Sequence, residues 1–133
     1  MFVNNWMKRA ELRNSFDVSL GFDMIQLDEG EIILELPVSS SNLNPNGTLH
    51  GGVYASLLDI VIGVNIRNLV GHPLVTVNLN ISYFAPAVEG EKIIASAKIL
   101  HQGYKNVAAE GEIRNFEGKL LAKGIGTFKV LRS

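Results

Sequence analysis

Hydrophobic and polar positions change their period along this chain. From Val53 to Ile66 the apolar residues Tyr54, Leu57, Leu58, Ile60, Val61, Ile62, Val64 and Ile66 crowd onto nearly every side of a helix. A helix apolar all round is a buried helix. The pattern predicts a central helix from about Gly51 to Val70, stopped by Gly71, His72 and Pro73. Beyond it the period falls to two, the period of strands. Leu74–Phe84 alternates Val75, Val77, Leu79, Ile81 and Tyr83 against Thr76, Asn78, Asn80 and Ser82. Glu91–Leu100, Lys105–Phe116 and Lys119–Leu131 alternate likewise, broken at Pro86 to Gly90, at Gly103 and at Glu117-Gly118. Before the helix, Phe22–Leu27 and Glu31–Val38 read as two strands joined by an Asp28-Glu29-Gly30 turn. Ser39–Asn46 is a polar loop, and Asn5–Ser15, within a helical N-terminal segment 1–20, reads as a short amphipathic helix.

Four long strands beside one apolar helix predict a sheet that wraps the helix. The residues expected to face inward, Ala95, Ala97, Ala109, Gly111, Ala122, Gly124 and Gly126, are small and leave room for it. The fold class is α+β. The 133 residues hold no linker or repeat and are expected to form one domain.

Composition narrows the function classes. A formal net charge of −1 with mixed signs argues against a dedicated nucleic-acid binder. Without cysteine there is no disulfide, thiolate metal site or cysteine nucleophile. The N-terminus lacks an apolar core of signal-peptide length, and no uninterrupted apolar run reaches the roughly 20 residues of a membrane span. A soluble, cytoplasmic protein is expected, with no membrane partner. The three histidines show no metal-ligand spacing.

The candidate chemistry clusters around the helix start. His50, Gly51 and Gly52 open the helix, where backbone N–H groups are bare and the dipole is positive. Such a place can hold a developing oxyanion. Asp59 is the one acid in the apolar run, and a buried acid costs several kcal/mol unless its charge is used or compensated. Each residue also has a plainer reading. His50 can brace the loop, and the glycines can serve only a tight turn. Asp59 can face a wet groove, Asn44 can form a turn, and Thr76 can be a β-branched strand residue. Lys92, Lys98, Lys105, Lys119 and Lys123 suit a solvated outer face, with Lys105 lying near a turn.

Asn44, the His50-Gly51-Gly52 run, Asp59, and the stretch from Val75 to Phe84 followed by Pro86 resemble the hotdog-fold acyl-CoA thioesterases. Within the 4-hydroxybenzoyl-CoA thioesterase superfamily, the nearest branch is that of the phenylacetate-degradation and thioesterase-superfamily-member-2-like enzymes. The resemblance spans about Phe22 to Val130. It implies an acyl-CoA substrate, no metal and no cofactor. It implies that the Gly51 N–H polarises the thioester carbonyl and that Asp59 is general base or nucleophile. Asn44 would hold the water or the carbonyl, Thr76 would assist the water or Asp59, and His50 would shape the loop. Gly52, Tyr83 and Lys105 are expected on the substrate. A non-catalytic acyl-CoA sensor on the same fold is the alternative. A hotdog hydratase is weaker, because its histidine signature is missing.

Geometry adds one expectation of its own. Gly51 and Asp59 are eight residues apart, so an intact helix separates them by roughly 12 Å. One reacting carbonyl cannot be served by both from one chain. A two-fold homodimer can bring the Gly51 end of one helix to Asp59 of the other. The resemblance implies the same dimer, commonly paired into a homotetramer.

Overall fold

A computed structural model describes residues 16–132. The expected Asn5–Ser15 helix lies outside them. The elements are α1 (Phe16–Ser19), β1 (Asp23–Gln26), β2 (Ile32–Pro37), a single 3-10 turn (Ser40–Asn42), α2 (Gly51–Val70), β3 (Leu74–Tyr83), β4 (Lys92–Gln102), β5 (Asn106–Asn115) and β6 (Leu120–Val130). The strands form one antiparallel sheet in the order β1-β2-β4-β5-β6-β3. The sheet curls round α2, which packs against β2, β3, β4, β5 and β6. This is the α+β hotdog arrangement expected from the sequence.

The helix runs where its apolar crowding places it and ends where its glycine allows. Gly71 takes a left-handed φ of 74°, and its N–H returns to the Arg67 carbonyl at 2.8 Å. Only glycine adopts that φ without strain, so the chain turns here. On length and composition alone α2 would pass for a membrane span. Its position inside the sheet makes it a core helix: Leu57, Leu58, Val61, Ile62 and Ile66 are essentially inaccessible.

Small strand residues set how closely helix and sheet approach. A β-carbon added to Gly111 would lie 3.0 Å from Leu58 Cδ2 and 3.2 Å from Ile62 Cγ1. Gly111→Val is therefore expected to overpack the core and destabilise the fold by about 1–3 kcal/mol. A urea titration reads this as a lower midpoint at unchanged slope. An unchanged midpoint would mean that helix and sheet have slack between them.

Strand β3 departs from the expected alternation. Val75, Val77, Leu79, Ile81 and Tyr83 do not share a face. A β-bulge between Thr76 and Asn78 inserts Val77 and shifts the phase. Upstream, Leu74 and Thr76 face the helix, opposite Val130 and Phe128. Downstream, Leu79 and Ile81 pack on the core. Val75 and Val77 are left 46% and 56% exposed. Thr76 thus leaves the polar row Asn78, Asn80 and Ser82 and turns inward.

Two polar residues that periodicity does not single out, the half-buried Asn65 and the buried Asn42, help to fix the frame. Asn65 of α2 accepts the Ile32 N–H at 2.9 Å and donates to the Ile32 carbonyl at 2.8 Å, fastening the helix to β2. The buried Asn42 accepts from Ser39 N–H and Oγ, and its carbonyl takes the His50 N–H at 2.9 Å. That bond anchors the residue from which α2 starts.

Candidate active site

The first turn of α2 decides which backbone donor stays free. His50 is the N-cap, in extended conformation, and its Nδ1 accepts the Gly52 N–H at 2.8 Å. The ring proton therefore sits on Nε2. The Val53 and Tyr54 N–H groups reach the His50 carbonyl at 2.9 and 3.4 Å. The Gly51 N–H has no acceptor among the described residues. A helix opening with its neighbours satisfied and one donor bare presents that donor to a ligand oxygen. His50 thus braces the start of the helix, and in doing so it leaves the Gly51 N–H as the available donor. Gly52, by contrast, spends its N–H on His50.

Tyr83 closes over the same turn. Its hydroxyl donates to the Gly51 carbonyl at 3.1 Å, and its ring stands edge-on to Tyr54 with centroids 5.7 Å apart. Tyr54 is itself fixed by a 3.0 Å bond to the Ala85 carbonyl. The Asn44 side chain folds into its own loop. Its Oδ1 accepts the Asn46 and Thr48 N–H groups, and its Nδ2 donates to Thr48 Oγ1 at 3.0 Å. One Nδ2 hydrogen is thereby used, and the loop that delivers His50 to the helix depends on it.

Asp59 is half-buried rather than buried. The bulged strand turns Thr76 toward it, and Thr76 Oγ1 donates to Asp59 Oδ1 at 2.7 Å. One carboxylate oxygen is held and the other remains for a second partner. The two line a cavity of about 210 Å³ with Ile60, Gly63, Val64, Arg67, Leu74, Phe128 and Asp17. Asp17 escapes sequence reading because nothing in Phe16–Ser19 marks it; only tertiary packing brings α1 there. Partial burial, and then the negative charge of Asp59, raise its carboxyl pKa above the ordinary value.

The structure thus brings Asp59 and Thr76 together, and Gly51, His50 and Tyr83 together. It does not unite the two groups, because α2 is unbroken from Gly51 to Val70 and keeps them roughly 12 Å apart along its axis. Lys105 joins neither. It is exposed in the β4–β5 turn, beside Tyr104. No three His, Asp or Glu side chains gather into a metal-binding group among the described residues.

Comparison with known proteins agrees with this architecture. The thioesterase superfamily profile matches residues 46–122. Human acyl-coenzyme A thioesterase 13 is 35% identical over 126 residues, 89% of this chain and 86% of that protein. The Escherichia coli PaaI protein of the phenylacetic acid degradation operon superposes with a TM-score of 0.84 at 27% identity, covering 93% of this chain and 90% of its own. A Bacillus halodurans protein solved with CoA superposes at 0.82 with 30% identity, covering 96% and 87%. With the matched profile spanning the helix, the residues that lead into it, β3, β4, β5 and the start of β6, this chain belongs to the thioesterase superfamily.

Proposed function

We propose that this chain hydrolyses the thioester of an acyl-CoA to a carboxylic acid and coenzyme A, at two equivalent sites shared across a two-fold dimer. The observation that carries the reading is the pairing of a bare helix-opening N–H at Gly51 with a carboxylate, Asp59, that has one oxygen held by Thr76. The Gly51 N–H of one chain polarises the thioester carbonyl and then stabilises the tetrahedral oxyanion. Asp59 of the other chain takes a proton from water on its free oxygen as the water attacks the carbonyl carbon. Thr76 keeps that carboxylate turned toward the water. Collapse of the intermediate breaks the C–S bond, and coenzyme A leaves as a thiolate. The names of the relatives, among them human acyl-coenzyme A thioesterase 13, support the substrate class.

The position of β3 supports the dimer. It is a ten-residue edge strand, and its outer side pairs with no strand among the described residues. A long edge with exposed valines is a template for pairing with another chain. Antiparallel pairing of two copies about the middle of β3 sets Tyr83 of one chain beside Val75 and Thr76 of the other. Tyr83 holds the Gly51 carbonyl, so Gly51 arrives at the partner chain's Asp59. Pairing of such dimers into tetramers belongs to the same proposal.

Thiol release from a panel of acyl-CoAs tests the reaction. The shared site is tested by mixing. Gly51→Pro and Asp59→Asn, each poorly active alone, are unfolded together and refolded. Random pairing makes about half the dimers mixed, and each mixed dimer carries one native and one doubly damaged site, so about a quarter of all sites recover. With mixed dimers confirmed by mass, activity no higher than the parents' average would assign both residues to one chain.

A further inference from the structure

The sheet glycines that face α2 leave no room for a side chain. A β-carbon on Gly124 would lie 3.1 Å from the Asn80 carbonyl oxygen and 3.4 Å from Leu58 Cδ1, and one on Gly111 would be tighter still. Gly63 of α2 differs. Its added β-carbon would find Phe128 Cε2 at 3.6 Å, an ordinary contact, and nothing else within 4 Å. Its φ is not positive, so the backbone does not require glycine either. Glycine is also the poorest helix former after proline, and Gly63 sits deep inside the 20-residue helix. Neither packing nor conformation among the described residues accounts for a glycine here.

The missing side chain leaves space beside the carboxylate. Gly63 lines the cavity of about 210 Å³ that holds Asp59 and Thr76. Asp59, Gly63 and Arg67 are spaced by four, so they share one helix face at steps of about 6 Å. The Cα–Cβ bond of a helical residue tilts toward the N-terminus, so a side chain at Gly63 would lean toward Asp59 and fill the cavity between them. Ile60, Val64, Leu74 and Phe128 wall the same stretch, and their side chains offer no hydrogen bond. The two amides of a pantetheine arm would be stranded against them, whereas a hydrocarbon chain is stabilised by burial there.

We propose that Gly63 is a specificity-determining residue: by leaving the face of α2 beyond Asp59 bare, it admits the tail of an acyl chain past about the fifth carbon. The proposal rests on the acyl-CoA hydrolase reading above and adds to it a substrate class, straight-chain acyl groups of medium length. The length follows from the helix. Four residues rise about 6 Å, and carbon–carbon bonds of about 1.5 Å laid in a zigzag cover that distance in about five steps. An acetyl or butyryl group stops short of Gly63, whereas an octanoyl or decanoyl group must pass it. At Arg67, about 12 Å from Asp59, the face turns polar and the apolar stretch ends.

The test is thiol release from a straight-chain series, acetyl- to decanoyl-CoA, by the parent, Gly63→Ala and Gly63→Val. Room for one methylene in an apolar pocket changes kcat/KM by about tenfold or more. Gly63→Ala should therefore lower the decanoyl-to-butyryl ratio of kcat/KM about tenfold, and Gly63→Val should lower it further. Gly63→Ala should also melt a few degrees higher, because alanine is the better helix former. An unchanged ratio, whether both rates hold or both fall, would overturn the proposal and leave the hydrolase standing. So would a parent that turns over no acyl group longer than butyryl. A change of oligomeric state in Gly63→Ala, read by light scattering, would assign the glycine to packing between copies and overturn it as well. If the parent hydrolyses none of the esters, calorimetry still decides. Tighter binding of decanoyl-CoA than of butyryl-CoA, lost in Gly63→Ala, supports the proposal; an advantage that the variant keeps, or none at all, overturns it.

Discussion

Asp59→Asn is expected to lower turnover by about 10²–10⁴-fold, the usual scale for loss of a general base. The substitution keeps the shape of the side chain, and its amide oxygen can still accept from Thr76 Oγ1. Asp59 is half-buried and belongs to no ion pair among the described residues, so the fold has little reason to suffer. The loss should appear in kcat, with the KM for acyl-CoA nearly constant, because water activation rather than ground-state binding is removed. Steady-state thiol release on a variant of native melting temperature measures it. Turnover near normal would remove Asp59 from the chemistry.

Gly51→Pro should cost about 10²–10³-fold in kcat, as for removal of one oxyanion donor. Backbone donors are usually hard to delete cleanly, but this one is accessible. Gly51 is the first helical residue, where proline is well tolerated because its missing N–H has no intrahelical role. His50, with φ −63° and ψ 135°, already has the extended conformation that a following proline demands. A β-carbon on Gly51 would meet the Tyr83 ring at an ordinary 3.7 Å. Gly51→Ala adds that carbon and retains the N–H, so it should stay close to the parent. A folded proline variant with the parent's kcat would refute the donor assignment; equal losses in both variants would point to crowding at Tyr83.

Much of this fold is legible in the residues because local pattern and global packing agree. The helix follows from apolar residues on all sides. The strands follow from alternation, and the close approach of helix and sheet from Gly111 and Gly124 on the inner face. The parts that were hidden depend on contacts between distant segments. The bulge at Val77 leaves the alternation of β3 looking regular in sequence, although the pairing with β6 slips there. Asp17 reaches the pocket only because α1 packs near Asp59. The apolar run around Asp59 reads as burial, yet the sheet leaves an opening beside Gly63 and Arg67. At the site, the free Gly51 N–H could be anticipated from a helix start, but the diversion of the Gly52 N–H to His50 needed coordinates.

The bulge makes β3 two strands of opposite phase joined at Val77. The stretch that ends at Thr76 serves the carboxylate, and the stretch that begins at Leu79 serves the core. Deleting Val77 would straighten the strand, and the two stretches could not both keep their facing. The longer downstream stretch, with six of the nine β6 pairings, would hold its register. The short upstream stretch would then rotate, carrying Thr76 away from Asp59. A single-residue deletion on an exposed edge would therefore separate stability from chemistry, leaving a chain that folds but whose carboxylate swings free. In a lineage of such proteins, the loss or gain of one residue at this point is a short route between an enzyme and a binding protein built on the same frame.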